Sequence, residues 1–477
     1  MTINSASTGS AATDAVKEMV SDANGVNGLN NFQATTQKPR ILMAASPASG
    51  HTFPIIAIAA ELVQRGYEVT FLAGEEFLEA VARAGARGIP IAPFDDDAWT
   101  IRDNIPAGPA RLEFDMKHFF IKPMTSRTKD ALAALEMMKA EVPDREIIIL
   151  TESFFMGTLP MYLGGPLPKG FTTRPKIINI HAACYMATSC DIAPLGMVLP
   201  PDSSPEGRVR NKTLHDEMKT GLMAGCLKYL AETLEGLGAV DYQKDQSMFD
   251  TWCLSHDVTL QMCPNTIEYP ISDLNPKVKF VGAIPAGPAK KTFVPPSFWE
   301  EVTCGDKKVV IVTQGTVAVD YKELVVPAME GLAKHDDVLV VVILGKKGAT
   351  LPDDIPVPDN TRVIDHLSYD AILPYSSAMV CNGGYGGFIH GVVNGVPMIM
   401  GGESEDKPEV SARGEWAGIA VNLKTARPSA GQVAEAVGKI LGDDKYKKRI
   451  MEIKKENEEM KAMDAIEKTI LEMAAQS

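Results

Sequence analysis

Residues 379–402 read MVCNGGYGGFIHGVVNGVPMIMGG: an apolar run enters four closely spaced glycines, continues at helical spacing and ends in a second apolar run. That is a strand, a glycine-rich turn, a helix and a strand, the repeating unit of a parallel sheet. Gly383, Gly384, Gly386 and Gly387 permit positive φ and let a ligand approach the backbone, while the following helix directs free N–H groups and its positive dipole end at the same point. A pyrophosphate suits such a cradle. Upstream, Thr313-Gln314-Gly315-Thr316 closes another apolar run, so Gly315 and the Thr316 hydroxyl are expected to face the same phosphates. No GxxxxGK[ST] is present, which argues against a P-loop nucleotidase.

The same alternation of short apolar runs and helical segments extends both ways and predicts an α/β fold with parallel sheets. Strands are expected at 40–45, 68–73, 146–150, 176–180, 258–262 and 279–281, then at 308–313, 338–344, 362–364, 378–381, 396–400 and 419–423. Between the two series the stretch 284–296, IPAGPAKKTFVPP, concentrates proline, glycine and lysine, as exposed connections do. The expected division is a tail over 1–38, a first lobe over 39–285, a linker over 286–297, a second lobe over 298–445 and two charged helices over 446–477 that pack back on the first lobe. In the tail, 14–20 carries a short helical pattern. At 477 residues and about 100 to 200 per domain, two lobes are the natural number, with a ligand cleft at the carboxyl ends of their strands.

The first lobe opens with PRILMAASPASGHTFP at 39–54. This places Gly50 and His51 in a strand-to-helix turn at the mouth of that cleft, and an imidazole there suits removal of a proton from a hydroxyl. Taken alone, a histidine is more often a cap or surface residue. Aromatic side chains gather near other strand ends: Phe114, His118, Phe119 and Phe120, then Phe154 and Phe155, then Tyr185 with Met186. Phe120, Phe155 and Tyr185 are the expected walls of a lipophilic acceptor pocket.

From Asn360 onward the residues resemble the family-1, UDP-dependent glycosyltransferases, whose two Rossmann-like domains form the GT-B architecture; the likeness is closest to fungal and bacterial members that act on small lipophilic acceptors. Asn360-Thr361-Arg362-Val363-Ile364-Asp365-His366 is similar to the opening of the family's donor motif, which implies that His366, next to Leu367, stacks on the uracil. Asn382-Gly383-Gly384-Tyr385-Gly386-Gly387 is similar to the His-x-Gly-x-x-Ser segment that holds the diphosphate, and Glu405-Asp406-Lys407 falls where an acidic residue and glutamine grip sugar hydroxyls. Three positions depart from the pattern: Asn382 replaces the histidine, Gly387 the serine, and His390 the glutamate that binds ribose. Lys407 stands in place of the glutamine.

In the first lobe the resemblance makes His51 the catalytic base, joins Gly50 to the donor contacts and implies a carboxylate that orients the imidazole. Glu152 is the candidate, with Thr151 the other possible occupant. The activity implied is inverting, metal-independent transfer from a UDP-sugar, UDP-glucose being the expected donor, to a hydroxyl of a phenolic, polyketide or sterol acceptor. The UDP-sugar is a co-substrate and no cofactor is implied.

Composition closes other routes. With 47 Lys+Arg against 61 Asp+Glu the chain carries a formal charge of −14, which disfavours nucleic acid and anionic membranes. The seven cysteines are odd in number and contain no CxxC, so a reducing, cytoplasmic setting is expected. No apolar stretch reaches the length of a bilayer span, and residues 1–38 lack the apolar core of a secretory signal. The eight histidines show no HxxxH or HxH spacing, and no GxSxG occurs. Asp95-Asp96-Asp97 has DxD spacing, but a polar loop is its expected role. A sugar-nucleotide epimerase or a non-catalytic binding protein on the same scaffold is the alternative reading.

Overall fold

Strands buried on both faces need apolar side chains at every position, and the Ile- and Val-rich runs pair accordingly. In the computed structural model, which describes residues 37–106, 108–285, 293–315, 318 and 320–476, they form two sheets. The first runs β3 (Arg87–Ile91), β2 (Val69–Gly74), β1 (Arg40–Ala44), β4 (Ile147–Glu152), β5 (Lys176–His181), β6 (Val258–Gln261), β7 (Val278–Phe280). The second runs β10 (Thr361–Ile364), β9 (Val338–Ile343), β8 (Lys308–Thr313), β11 (Ser376–Cys381), β12 (Met398–Met400), β13 (Ala420–Asn422). Neighbours within each sheet pair in parallel, as in β1 with β2 and β4, or β8 with β9 and β11. Both are doubly wound.

In each sheet the strand order reverses once, between β1 and β4 and between β8 and β11. Loops leaving the carboxyl ends of such a pair diverge to opposite faces and open a crevice. Register decides what stands there. Ala44 lies opposite Thr151, so the turn carrying His51 rises beside Glu152. Thr313 lies opposite Cys381, so Gln314-Gly315 emerges beside Asn382-Gly383.

Helices cover both faces of each sheet. Ile55, Ile58, Ala59 and Leu62 of the helix Ser49–Gln64 pack on Ile41, Met43, Phe71 and Ile148, and Ala131, Leu135 and Met138 of the helix Met124–Glu141 pack on the opposite face with Leu42, Ile147 and Ile149. In the carboxyl-terminal segment, the helix Asp444–Met460 buries Ile450 and Ile453 in the second sheet's core. Lys461 turns the chain at φ 50°, and the helix Ala462–Ala474 inserts Met463, Ile466 and Ile470 into the first sheet's core. Two ties hold this return in place: Asn457 exchanges hydrogen bonds with the backbone of Ala283 at 2.7 and 3.0 Å, and Glu467 accepts from Lys38 and Arg65 at 2.8 and 2.6 Å. Lys38, expected in the tail, is thus pinned to the fold; residues 1–36, including the helical pattern at 14–20, and 286–292 of the linker lie outside the described residues.

One strand had no counterpart in the apolar runs. β3, RGIPI, has burial confined to Ile91 and partly Ile89, because it is the sheet's edge, where proline and charge are tolerated and one face meets water. All seven cysteines are free, and no helix among the described residues is long and apolar enough to cross a membrane.

Candidate active site

The first lobe supplies an imidazole and a carboxylate. His51 occupies the first turn of the helix Ser49–Gln64, and its Nδ1 lies 2.9 Å from Oε1 of Glu152, the last residue of β4. Glu152 is buried, while the His51 side chain keeps 29% of its surface exposed. Two backbone amides hold the carboxylate: Phe154 donates to Oε1 at 3.1 Å and Ser46 to Oε2 at 3.5 Å. Thr151, the other candidate, donates its hydroxyl to the Glu152 carbonyl at 3.2 Å instead. Burial opposes charge on His51, but the Glu152 carboxylate, its hydrogen bond and the more distant Asp406 outweigh that and raise the imidazole above its usual pKa, with Arg127 pulling the other way.

Aromatic rings frame the imidazole. Phe154 meets His51 edge-on at 5.0 Å, and Phe120 stands at 6.1 Å. Trp252, buried behind them, lies 5.3 Å from Phe154 and 5.8 Å from Phe120. Phe120 reaches this position from a single π-helical stretch, Met116–Ile121, whose extra residue per turn re-aims side chains. Phe155, an expected acceptor wall, is a correction: it is fully buried between Leu42, Ile149 and Ile177 in the sheet core, and its neighbour Phe154 takes the cleft. Tyr185 is 2% exposed; its backbone, not its ring, does the visible work described below.

The second lobe supplies the cradle. β11 ends at Cys381, Asn382 donates its amide to the Gln314 carbonyl, and the helix Tyr385–Asn394 begins with Gly384 as its extended N-cap and ends at Gly395 in the left-handed conformation. Gly383 alone of the four glycines uses positive φ, at 79°. A Cβ there would meet Ser411 Oγ at 2.6 Å and the Lys407 carbonyl at 3.1 Å. Gly384 is held by Asn382 Oδ1 at 3.4 Å, and a Cβ on Gly386 would meet nothing within 4 Å, leaving open space over the helix N-terminus. Gly315, at φ 76°, faces Asn382; Gly50 is likewise open on the His51 side. Thr316 lies outside the described residues.

Around the cradle, His390 turns its Nδ1 to Asp370 at 3.0 Å, so a carboxylate stands next to the position where the resemblance had lost one. His366 is exposed beyond β10, its backbone N–H on Asp365 Oδ1 at 2.7 Å, and Leu367 is buried in the core. Glu405, at φ 53°, is engaged by Lys407 and Ser404 and by Arg102 of the first lobe at 2.6 Å. Although burial works against its charge, Lys407, Ser404 and Arg102 hold the carboxyl down at a pKa of about 2. Asp406 is pushed up by burial and by Glu405, with Lys407 and His51 opposing.

A buried network joins the lobes further down. Arg413 pairs with Glu268 of the first lobe and with Glu409 at 2.7 Å, and its Nη2 donates to the Tyr185 carbonyl at 3.4 Å. Glu268 accepts from the Tyr185 N–H at 2.9 Å, and Glu409 accepts from Gly196 and Val198, both at 2.8 Å. Arg102, Arg127, Trp252, Asp370 and Arg413 went unremarked in the sequence, where a lone arginine or aspartate in a helical segment reads as a solvated face. The DxD stretch proves to be a helix start: Asp95 caps the helix Asp96–Asp103 by accepting from Asp97 at 3.1 Å and pairs with Lys122 at 3.0 Å.

Comparison with known proteins adds three findings. The family model described as UDP-glucoronosyl and UDP-glucosyl transferase matches residues 231–466. UDP-glucosyltransferase 1 of Beauveria bassiana is 50% identical over 440 residues, covering 91% of this chain and 95% of the relative, and UDP-glucosyltransferase A1 of Starmerella bombicola is 34% identical over 92% of this chain and 94% of its own length. Among solved structures, the glycotransferase of kitacinnamycin superposes with a TM-score of 0.66 at 19% identity over 92% of this chain and 100% of that one, which shows the fold.

Proposed function

Because the chain belongs to the UDP-glucuronosyl and UDP-glucosyl transferase family, enzymes that move a sugar from a UDP-sugar to an acceptor, we propose that it does so by inverting displacement with His51 as base. The acceptor hydroxyl gives its proton to Nε2 of His51, whose Nδ1 is committed to Glu152. Its oxygen attacks the anomeric carbon from the face opposite the nucleotide, and the sugar–phosphate bond breaks with its electron pair passing to the departing UDP. Glu152 steadies the imidazolium as it forms. The diphosphate lies over the N-terminus of the helix Tyr385–Asn394, beside Asn382 and the Gly383–Gly384 turn, where the free N–H groups of the helix's first turn and its dipole favour developing negative charge. Asp406 and Lys407 face the sugar, and Asp370, through His390, stands by the ribose.

The observation that supports one reaction centre is geometric: His51 Nδ1 lies 2.9 Å from Glu152 Oε1 in the first lobe, and Arg102 of that lobe holds Glu405, next to Asp406 in the second, at 2.6 Å. UDP-glucose is the donor this reading favours, and a small lipophilic phenol, polyketide or sterol fits the ring-lined surface of Phe120 and Phe154 beside His51. The His51→Ala variant should lose about 10²- to 10⁴-fold in transfer while its affinity for UDP, read by calorimetry, stays within a factor of two or three. Full activity in that variant would remove His51 from the chemistry. A panel of UDP-sugars offered with mixed lipophilic alcohols and read by mass spectrometry identifies donor and acceptor together.

A further inference from the structure

Arg127 is 2% exposed, yet among the described residues no carboxylate lies within ion-pair distance of it. Its Nη1 donates weakly to Ser46 Oγ at 3.3 Å and to the Phe154 carbonyl at 3.5 Å, the guanidinium stands 5.2 Å from the Phe94 ring, and Nε and Nη2 have no hydrogen-bond partner among the described residues. Burying a cation without a paired carboxylate is unfavourable. Such a group is expected where a site needs its field.

The two groups it touches identify the need. Ser46 and Phe154 are the residues whose backbone amides hold the two oxygens of Glu152. We propose that Arg127 is a positioning residue for the base: it braces the two residues whose amides hold Glu152 and offsets part of the negative charge gathered around His51, which eases loss of the imidazole's proton. This rests on the reading of His51 as base.

The charges that face His51 come from three elements: Glu152 at the end of β4, Asp406 before the helix Lys407–Trp416, and Arg127 on the helix Met124–Glu141. Behind Glu152, His181 of β5 is uncharged, its pKa lowered chiefly by burial, with Nδ1 on Ser153 Oγ at 2.6 Å and Nε2 on the Cys184 carbonyl at 3.0 Å. Asp130, on the same helix as Arg127, is raised by burial. Arg127 itself is lowered by burial to about 10, with Glu152 and Asp130 resisting, so it remains a cation at neutral pH. Removing it leaves two carboxylates and no compensating charge around His51, whose proton is then held more tightly. The base is thereby occupied at the pH where it has to act.

Two variants separate the electrostatic role from bracing alone. Arg127→Met should move the acidic limb of the kcat–pH profile upward, with kcat falling near neutrality and recovering at alkaline pH. Arg127→Lys, which keeps the charge, should leave the limb near its original place. A purely structural role would lower kcat equally at every pH, and an unmoved limb in folded Arg127→Met overturns the proposal. Should that variant not fold, Arg127→Gln serves in its place. Titrating His51 by NMR in histidine-labelled protein, assigned through His51→Ala, reads the same coupling without catalysis. If His51→Ala still transfers sugar, the base reading fails while the titration continues to report on Arg127; an unchanged His51 titration in Arg127→Met or Arg127→Gln contradicts the inference directly.

Discussion

Glu152 is where sequence and chemistry meet most closely. A carboxylate at the end of a buried strand costs free energy unless its oxygens are occupied, and here both are, by the amides of Ser46 and Phe154 and by His51. Because attraction to Glu152 and Asp406 outweighs burial and raises the His51 pKa, the neutral, basic form is gained only as pH climbs past the ordinary histidine value of about 6.5. Transfer should therefore fall away on the acid side from above that value. In Glu152→Gln the raising partner is gone, so the limb should shift to lower pH while kcat drops by about 10²-fold or more, the imidazolium having lost its counter-charge. A pH–rate profile with an unmoved limb in that variant would contradict the pairing. His51 and Glu152 were singled out through the family resemblance, with Thr151 left as the alternative, and the structure brings His51 to Glu152; Arg127 was not singled out, since nothing local distinguishes a buried arginine from a solvated one.

At the scale of elements, the cradle depends on one backbone position more than on its glycine count. Gly383 has φ 79° and Ser411 Oγ would sit 2.6 Å from an added Cβ, whereas Gly386 and Gly387 are ordinary helical residues. Gly383→Ala is expected to cost about 1–3 kcal/mol in stability for its left-handed backbone, more if Ser411 and Lys407 are displaced, and to raise the KM for the UDP-sugar well beyond any change in kcat. Equal unfolding temperature and donor KM in the variant and the parent would show that the turn tolerates a side chain. The helix and both flanking strands were legible because their apolar spacing is long and regular. β3 was not, because an edge strand containing Arg87, Gly88 and Pro90 carries no such run; nor was the π-helical stretch Met116–Ile121, which selects Phe120 for the cleft through geometry and not composition.

Across the whole molecule, two doubly wound sheets put their points of strand reversal against a common cleft, and three sets of contacts hold the faces together: Arg102 on Glu405, the Glu268–Arg413–Glu409 cluster, and the helix Ala462–Ala474 seated on the first sheet. The α/β class and the two strand series could be read from the chain. The return of the last helix onto the first lobe was also expected from the chain; the two side-chain joints were not, since Arg102 and Glu405, like Glu268 and Arg413, lie more than a hundred positions apart. Through Glu409, which accepts from Gly196 and Val198, the second lobe is tied to a loop of the first. A crystal structure of the enzyme with UDP tests the central claim most directly. The account predicts the diphosphate within hydrogen-bonding distance of Asn382 and the amides that open the helix Tyr385–Asn394, with its sugar-proximal phosphate turned across the cleft towards Asp406 and His51; a nucleotide bound away from that turn, or a His51 facing a separate surface, would contradict it.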